Sequence, residues 1–293
     1  MCGRYASTRD RAELMDLFAV ERDATAEELK PDYNVAPTKE VYAVLTSTPR
    51  GERKRAGEAG EAGAATPEEP EEPQEPVREL RELRWGLIPF WAKDLSIGSR
   101  MINARAETVS EKPAFRRAFA RRRCLLPADG YYEWYAPDAA EVADAPAAAG
   151  QERPGGKKPK KPPKQPYYIH PADGGVLALA GLYELWKDPE LPDDHPRKWL
   201  WTCTVITTSA TDELGRIHDR MPMFVEGDKW DAWLDPTLTD PELVRPLLVP
   251  AGQRGLTAYA VSTAVNNVRN NSRELLEPLP NPGDSGEDSG TLF

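Results

Sequence analysis

The sequence predicts an α+β fold: a single domain of mainly antiparallel strands, curled into a barrel-like sheet, with short helices at its periphery. Runs rich in β-branched and aromatic residues outnumber helical patterns along the 293 residues. These runs do not alternate with helices, which argues against a parallel doubly wound sheet. The chain also contains no recognisable internal repeat, so a solenoid is not expected.

The predicted strands are short segments whose side chains suit a half-buried pleated surface. They lie at 41–47, 83–87, 123–127, 131–135, 176–186, 199–208 and 256–263.

Helical patterns are fewer, and they lie at 7–19, 112–122, 227–234 and 240–249. The first is predicted to begin at a Ser/Thr cap and to place Leu14, Leu17 and Phe18 on one face.

Three stretches have compositions that do not favour packing. Segments 50–78 and 136–165 are rich in Ala, Pro and charged residues and poor in large apolar side chains. Such segments bury too little apolar surface to offset the entropy of ordering them. We therefore predict one domain over 2–275, interrupted by these two insertions, and a disordered acidic tail at 279–293.

Charge alone does not identify the partner. The formal net charge is −10, but residues 58–75 hold seven Glu and the last ten residues hold three acidic groups. Without these segments and the basic second insertion, the remaining chain carries about −2. A nearly neutral core can still form a local basic groove, so nucleic acid is not excluded.

The cysteine count and the hydropathy pattern predict a protein of the reducing cytosol. The chain has three Cys, which is an odd number and too sparse for a disulfide framework. The sequence begins with no signal-peptide pattern, and no apolar run approaches the roughly 20 residues that span a membrane. We expect a soluble, cytoplasmic protein that needs no membrane and no second subunit.

A cysteine directly follows the initiator methionine in the opening "MCGRYA". Removal of Met1 would leave a free α-amine and a thiol on Cys2. Such a 1,2-aminothiol can form an imine with an aldehyde and close it to a thiazolidine, or it can attack an amide carbonyl. The alternative is that Cys2 is a small buried residue, as free cysteines often are.

Two further stretches combine polar groups with aromatic residues. In "ADGYYEWY" the strand alternation places Glu133 on one face with Tyr131 and Tyr135. Burial among aromatic rings would raise the pKa of that carboxyl toward a value useful for proton transfer, whereas an exposed strand position would not. His218, in "GRIHDRMP", can titrate near neutrality, although a structural hydrogen bond is the alternative. No CxxC pair, HExxH or glycine-rich phosphate loop is present, so neither metal nor cofactor is expected.

Seven short motifs in this order resemble the SOS response-associated peptidase (SRAP) family, the abasic-site processing proteins. They are "MCGRYA", "YNVAPT", "RWGLIPFWAKD", "MINARAET", "CLLPADGYYEW", "ALAGLYELW" and "IHDRMPMFV". Each motif alone is weak, but the ordered set is specific and extends over about residues 2–275.

The resemblance implies both an activity and a site. Family members bind single-stranded DNA at an abasic site, whose open sugar is an aldehyde, and form a stable thiazolidine cross-link that shields the lesion. On this resemblance Cys2 supplies the amine and thiol, Asn103 hydrogen-bonds the sugar, and Glu133 and His218 move protons and open the sugar ring. The family name also implies a possible self-processing peptidase activity.

The DNA-binding residues follow from the same motifs. The resemblance implies that Arg4, Asn34, Arg105 and Arg220 hold phosphates, and that Pro37 and Trp85 offer flat faces to bases. For Trp85 a place in the core is the alternative.

Two rival classes remain open at this point. "MCG" is also typical of N-terminal-nucleophile hydrolases such as class II glutamine amidotransferases, although no glutamine-binding or synthetase segment accompanies it. A non-catalytic nucleic-acid binder in which Cys2 is incidental is the other rival.

Overall fold

The computed structural model describes residues 2–47, 75–136, 163–210, 217–250 and 255–280. The predicted acidic tail from 281 onward, and most of both predicted insertions, lie outside these described residues. The α+β prediction is confirmed, because two mainly antiparallel sheets are accompanied by a few short helices.

The strands in chain order are β1 Tyr5–Ser7, β2 Arg22–Asp23, β3 Asp32–Val35, β4 Glu40–Ser47, β5 Val77–Trp85, β6 Asn103–Arg105, β7 Arg123–Ala128, β8 Gly130–Tyr135, β9 Gln165–Pro171, β10 Leu177–Lys187, β11 Trp199–Ser209, β12 Arg220–Phe224, β13 Val249–Pro250 and β14 Leu256–Ala260. The α-helices are α1 Arg11–Leu17, α2 Arg116–Arg121, α3 Trp230–Leu234 and α4 Pro241–Val244.

The larger sheet contains a closed ring of strands. β10 pairs with β7, β7 with β4, β4 with β5, β5 with β11, and β11 returns to β10. This ring is the curled sheet that the sequence predicts. The smaller sheet has the order β14-β9-β8-β1-β3 and carries the segments that contain Cys2 and Glu133.

Strand alternation gives the ring two apolar faces. Along β4, Tyr42 and Val44 belong to one core cluster, and Val41, Ala43 and Leu45 belong to another. The first cluster also holds residues of all four helices. The second contains residues of both sheets and includes Cys2, so the candidate site borders a buried core between the two sheets.

The first helix begins later than the predicted range of 7–19, at Arg11. Ser7 pairs with Asp32 in the smaller sheet, and the Thr8 hydroxyl donates to the Asp129 carboxylate, so neither residue caps the helix. Asp10 does so instead, accepting a hydrogen bond from the Glu13 amide at 2.8 Å. The Ser/Thr cap prediction was wrong because tertiary partners use both hydroxyl-bearing residues.

Other boundaries also shift. Val77 and Arg78, predicted to lie in the first insertion, are paired in β5 with the end of β4. The predicted helix at 240–249 stops at Val244 and continues as a 3-10 turn, consistent with Pro246, which cannot donate a backbone hydrogen bond. The sequence analysis missed β9 entirely, together with the short strands β1, β2, β3, β6, β12 and β13.

Candidate active site

Cys2 is fully buried just before β1. Its carbonyl oxygen accepts a hydrogen bond at 2.8 Å from the side-chain amide of Asn103, the first residue of β6. Burial, and next the charge of Glu133, raise the pKa of the Cys2 thiol well above its usual value. The smaller sheet and the ring therefore meet at Cys2, with Asn103 joining them.

Asn103 also has an unused acceptor. Its Oδ1 atom is buried and accepts no hydrogen bond from any residue that the structure describes. A buried polar atom without a partner is costly, so such atoms in native sites usually meet a ligand or water. A hydroxyl group of a bound molecule would satisfy it.

Glu133 occupies the middle of β8, opposite Tyr167 of β9, and its side chain is 3% exposed. Burial raises the pKa of Glu133 to about 8. The alternative of an exposed strand carboxylate was wrong, because the Glu133 side chain is almost fully buried, with His218 and Cys2 nearby. Near neutral pH this carboxyl group can hold or release a proton, as general acid–base chemistry requires.

His218 approaches Glu133 from the segment before β12. Its Nε2 atom lies 4.0 Å from Glu133 Oε2. Its Nδ1 atom lies 3.0 Å from the Arg220 backbone amide and 2.8 Å from Asp219 Oδ1. Nδ1 of the neutral ring therefore has both a backbone donor and a carboxylate acceptor beside it, and Nε2 is the ring atom that faces Glu133. Burial lowers the pKa of His218, which favours this neutral form.

The structure therefore brings the four candidate catalytic residues to one place. Asn103 contacts the Cys2 backbone, Glu133 is near enough to perturb the Cys2 thiol, and His218 faces Glu133. Their spacing in the sequence gives no hint of this proximity.

Partly buried Arg4 and fully buried Asn34 form a hydrogen-bonded unit. Arg4 Nη1 donates to Asn34 Oδ1 at 2.6 Å and to the Val265 carbonyl at 2.8 Å. The Asn34 amide donates to the carbonyls of Val265, Asn267 and Asn270 at 2.9–3.3 Å. The expectation that Asn34 holds a phosphate was wrong, because its side chain is 0% exposed and its donors and acceptor are engaged. It positions Arg4 instead.

Trp85 does not offer a face to a base. It is 0% exposed, packs against Tyr5 with ring centroids 5.1 Å apart, and donates from Nε1 to the Ile102 carbonyl at 3.0 Å. The core alternative is confirmed for Trp85. Pro37 is half-buried, and its contact with a base stays a prediction.

The two remaining arginines differ in exposure and in whether a carboxylate already pairs with them. Arg105, at the end of β6, is exposed. Arg220 is 12% exposed and pairs with Glu107 through both of its terminal nitrogens. Phosphate binding by these two residues stays a prediction.

Sequence reasoning missed several residues around the site. Glu107 lies inside the quoted motif "MINARAET", but nothing in the motif indicated its partner. Trp134 donates from Nε1 to Asn266 Oδ1 at 2.7 Å, and the Arg4 guanidinium lies 5.7 Å from its ring centroid. The density of asparagines in "VNNVRNN", residues 265–271, was the available signal for this C-terminal turn.

Across 2–47, 75–136, 163–210, 217–250 and 255–280, no three His, Cys, Asp or Glu side chains are placed to hold a metal ion. Within the same ranges, no helix has the length and apolarity needed to cross a membrane.

The fold and site define a class: a single α+β domain whose buried, near-terminal cysteine is surrounded by an amide, a carboxyl and an imidazole. The sequence profile described as "SOS response associated peptidase (SRAP)" matches residues 1–268, and the chain belongs to this family. The resemblance drawn from the seven motifs is confirmed.

Curated relatives carry a consistent name. "Abasic site processing protein YoaM" of Bacillus subtilis (strain 168) is 36% identical over 277 residues, covering 94% of this chain and 98% of that protein. "Abasic site processing protein HMCES" of Gallus gallus is 31% identical over 223 residues, covering 67% of this chain and 56% of that protein.

A solved structure has the same fold. A protein from Bacteroides thetaiotaomicron superposes with a TM-score of 0.67 at 22% identity, covering 95% of this chain and all of that one. At this identity the likeness supports the architecture alone.

Proposed function

We propose that this protein captures abasic sites in single-stranded DNA through Cys2 after removal of Met1, and so shields the lesion in the DNA damage response. The observation that carries the proposal is the convergence of Asn103, Glu133 and His218 on a fully buried Cys2. The relatives named as abasic site processing proteins support the same substrate.

The proposed reaction joins the sugar aldehyde to two atoms of Cys2. The α-amine adds to the C1′ carbonyl, and loss of one water gives an imine. The thiol then adds across the carbon–nitrogen double bond. Sulfur bonds to C1′, the π bond breaks, and the thiol proton is transferred to nitrogen. The product is a five-membered thiazolidine, and nothing is oxidised or reduced.

Each neighbouring group has a matching proton-transfer task. In its protonated form, Glu133 donates to the hydroxyl that leaves as water, and its carboxylate then takes the thiol proton on its way to nitrogen. This use suits a pKa of about 8. His218 assists the ring opening that exposes the aldehyde, and the free Oδ1 of Asn103 accepts a hydrogen bond from a sugar hydroxyl.

DNA binding is assigned to the basic residues beside the site. Arg105 is exposed at the end of the strand that begins with Asn103, so it can reach a phosphate next to the lesion. Arg4 and Arg220 are proposed to add phosphate contacts with the donors that their protein partners leave unused.

The test is a denaturing gel with a single-stranded oligonucleotide that contains one abasic site. Wild-type protein is expected to give a heat-stable shifted band, and Cys2→Ala is expected to give none. Cys203→Ala is the matched control, since Cys203 is a buried cysteine of the same core cluster. A band that survives Cys2→Ala would overturn the proposal.

Mass spectrometry tests the proposed starting form. The cross-linked protein should lack the mass of one methionine residue and should carry the DNA fragment less one water. Cross-linked protein that retains Met1 would exclude the thiazolidine. The same measurement on free protein expressed with Cys2→Ala tests whether Met1 is removed by the site itself, the peptidase activity that the family's description suggests.

A further inference from the structure

Two groups compete for one ring nitrogen of His218. The Arg220 backbone amide lies 3.0 Å from Nδ1 and points its N–H at this atom, which requires a lone pair there. The Asp219 carboxylate oxygen Oδ1 lies 2.8 Å from the same atom, which requires a proton there. A neutral imidazole carries a proton on one nitrogen at a time, so Nδ1 cannot satisfy both groups. The partner that prevails decides which nitrogen of His218 can accept a proton.

The carboxylate is the stronger of the two partners. A hydrogen bond to an ionised acceptor is roughly twice as strong as one between neutral groups. The Asp219 side chain is 86% exposed, so its charge need not be desolvated to make this contact. A lone pair on Nδ1 would instead face the negatively charged oxygen at 2.8 Å, which is repulsive. The tautomer with its hydrogen on Nδ1 is therefore favoured.

The position of Asp219 is fixed by the larger sheet. Its carbonyl oxygen accepts a hydrogen bond at 2.9 Å from the Ala210 amide. The next residue, Arg220, begins β12 and pairs with Ser209 of β11. Because Asp219 is held at the end of this strand pairing, its backbone cannot move away from the His218 ring without loss of these contacts.

The other ring nitrogen faces a proton donor. With hydrogen on Nδ1, the lone pair of His218 lies on Nε2, 4.0 Å from Glu133 Oε2. Burial raises the pKa of Glu133 to about 8, and the charge of Asp219 adds to this rise, so Glu133 holds a proton near neutral pH. A hydroxyl oxygen can lie about 2.8 Å from both atoms at this separation. The arrangement therefore sets a proton acceptor and a proton donor around one bound oxygen.

We propose that Asp219 is a positioning residue that holds the proton of neutral His218 on Nδ1, and so makes Nε2 the base that opens the abasic sugar. Nε2 takes the proton of the C1′ hydroxyl, and the electron pair of that O–H bond becomes the carbonyl π bond. The C1′–O4′ bond breaks, its electron pair goes to O4′, and Glu133 protonates O4′. Return of the proton from Nε2 to Glu133 restores both groups, and nothing is oxidised or reduced. The inference rests on the proposed function for this reaction step.

Nuclear magnetic resonance measures the tautomer without DNA. Two-bond ¹H–¹⁵N correlation spectra of the full chain at about pH 8, above the usual histidine pKa of about 6.5, should show the Nδ1–H pattern for His218. The chain has three His, and the resonances absent from a His218→Ala variant identify this one. Asp219→Ala should shift the pattern toward Nε2–H, because the Arg220 amide then faces no competing carboxylate from Asp219. Asp193→Ala is the matched control, since that carboxylate is 80% exposed and pairs with Lys187 instead.

Kinetics test whether this tautomer serves ring opening. Two single-stranded oligonucleotides would be compared at saturating concentration. One carries a natural abasic site, and the other carries an acyclic alkyl aldehyde in its place, which has no ring to open. Asp219→Ala should slow capture of the abasic strand by about fivefold, as expected for loss of an exposed ionic contact, and should capture the acyclic aldehyde at the wild-type rate. In a His218→Ala background the same substitution should cause no further loss, because Asp219 acts through the ring.

The outcomes are distinct. An Nε2–H pattern in wild-type protein, or a pattern unchanged in Asp219→Ala, would overturn the proposal. So would an unchanged rate on the abasic strand, an equal loss on the acyclic aldehyde, a further loss in the double variant, or a matching loss in Asp193→Ala. If wild-type protein captures neither oligonucleotide, the proposed function is contradicted instead, and the spectra still decide whether Asp219 sets the tautomer of His218.

Discussion

Glu107 and Arg220 meet through two parallel hydrogen bonds, with Arg220 Nη1 2.8 Å from Oε1 and Nη2 3.1 Å from Oε2. Arg220 Nη2 also donates to the Thr207 carbonyl at 2.7 Å. Glu107 follows β6, which begins with Asn103, and Arg220 begins β12 directly after His218 and Asp219. The pair therefore links the two chain segments that carry half of the candidate catalytic groups.

Replacing Glu107 with Gln should loosen this link. The variant keeps one oxygen acceptor but loses the negative charge that aligns the guanidinium. We expect the capture rate at saturating DNA to fall by about tenfold, since the Arg220 backbone amide also holds the His218 ring in place through Nδ1. Glu13→Gln is the matched control, because Glu13 is paired with Arg9 and is 44% exposed against 45% for Glu107.

The Glu107–Arg220 pair should also make the stability of the protein depend on pH in the acid range. Burial alone would raise the pKa of Glu107, but hydrogen bonds and charge from Arg220 outweigh it and hold the pKa at about 2. A carboxyl with a depressed folded-state pKa stabilises the protein above its unfolded value of about 4.5 and loses this effect as pH falls toward 2. The difference in melting temperature between wild type and Glu107→Gln should shrink over that window. A constant difference would contradict the pairing.

Replacing Glu133 with Gln should alter stability in the opposite pH direction. The raised pKa of about 8 means that the folded protein retains a proton which the unfolded chain releases above about pH 4.5. Wild-type stability should therefore fall as pH rises from about 4.5 to 8, and Glu133→Gln should lack this fall. Melting temperatures measured across this range test the sign, with Glu13→Gln as the exposed control. If the melting temperatures of wild type and Glu133→Gln change in parallel with pH, Glu133 does not retain a proton in the folded protein.

The same Glu133→Gln variant should be slow in capture. Loss of a positioned proton-transfer group costs about 100-fold or more in rate. Affinity for undamaged DNA should be close to wild type, because the side chain is buried. Single-turnover gels at saturating DNA measure the rate, and a wild-type rate would remove Glu133 from the mechanism.

Replacing Asn34 with Asp should strongly destabilise the fold. The new carboxylate would face the carbonyl oxygens of Val265, Asn267 and Asn270 in place of an amide that donates to them. A buried charge without donors costs several kcal/mol, of the order of 3–5, although Arg4 offsets part of it. Asn267→Asp is the control, since that exposed side chain acts as an acceptor toward the Arg269 amide. Urea unfolding of both variants would decide, and equal midpoints would contradict the buried role of Asn34.

Replacing Trp85 with Phe tests the correction made to its role. The substitution removes one of the two donors to the Ile102 carbonyl, which also accepts from the Val205 amide, and it creates a cavity, so the free energy of unfolding should drop by about 1–3 kcal/mol. DNA affinity should not change, because the ring is fully buried. Trp134→Phe, at a half-exposed tryptophan, provides the comparison. Weaker DNA binding by a Trp85→Phe variant of normal stability would instead indicate that Trp85 contacts DNA directly.

The sequence by itself determined the class of fold, the family and the identity of the polar groups at the candidate site. Strand patterning alternates with a fixed period, so the run around Glu133 predicts which side chains share its face. The chemistry of a cysteine next to the initiator methionine is likewise a property of one residue and its neighbour. These features are local, and local features can be read from a linear chain.

The tertiary structure alone decided which residues meet and which are hidden. Asn34 and Trp85 stand in motifs that suggest DNA contact. In the structure, however, the side chain of Asn34 donates to the Val265 carbonyl and that of Trp85 to the Ile102 carbonyl, and both side chains are buried. Glu107 gains its role from Arg220, 113 residues away. Such pairings depend on how strands are ordered in the two sheets, and that order is set by packing of the whole core, which no short stretch of sequence encodes.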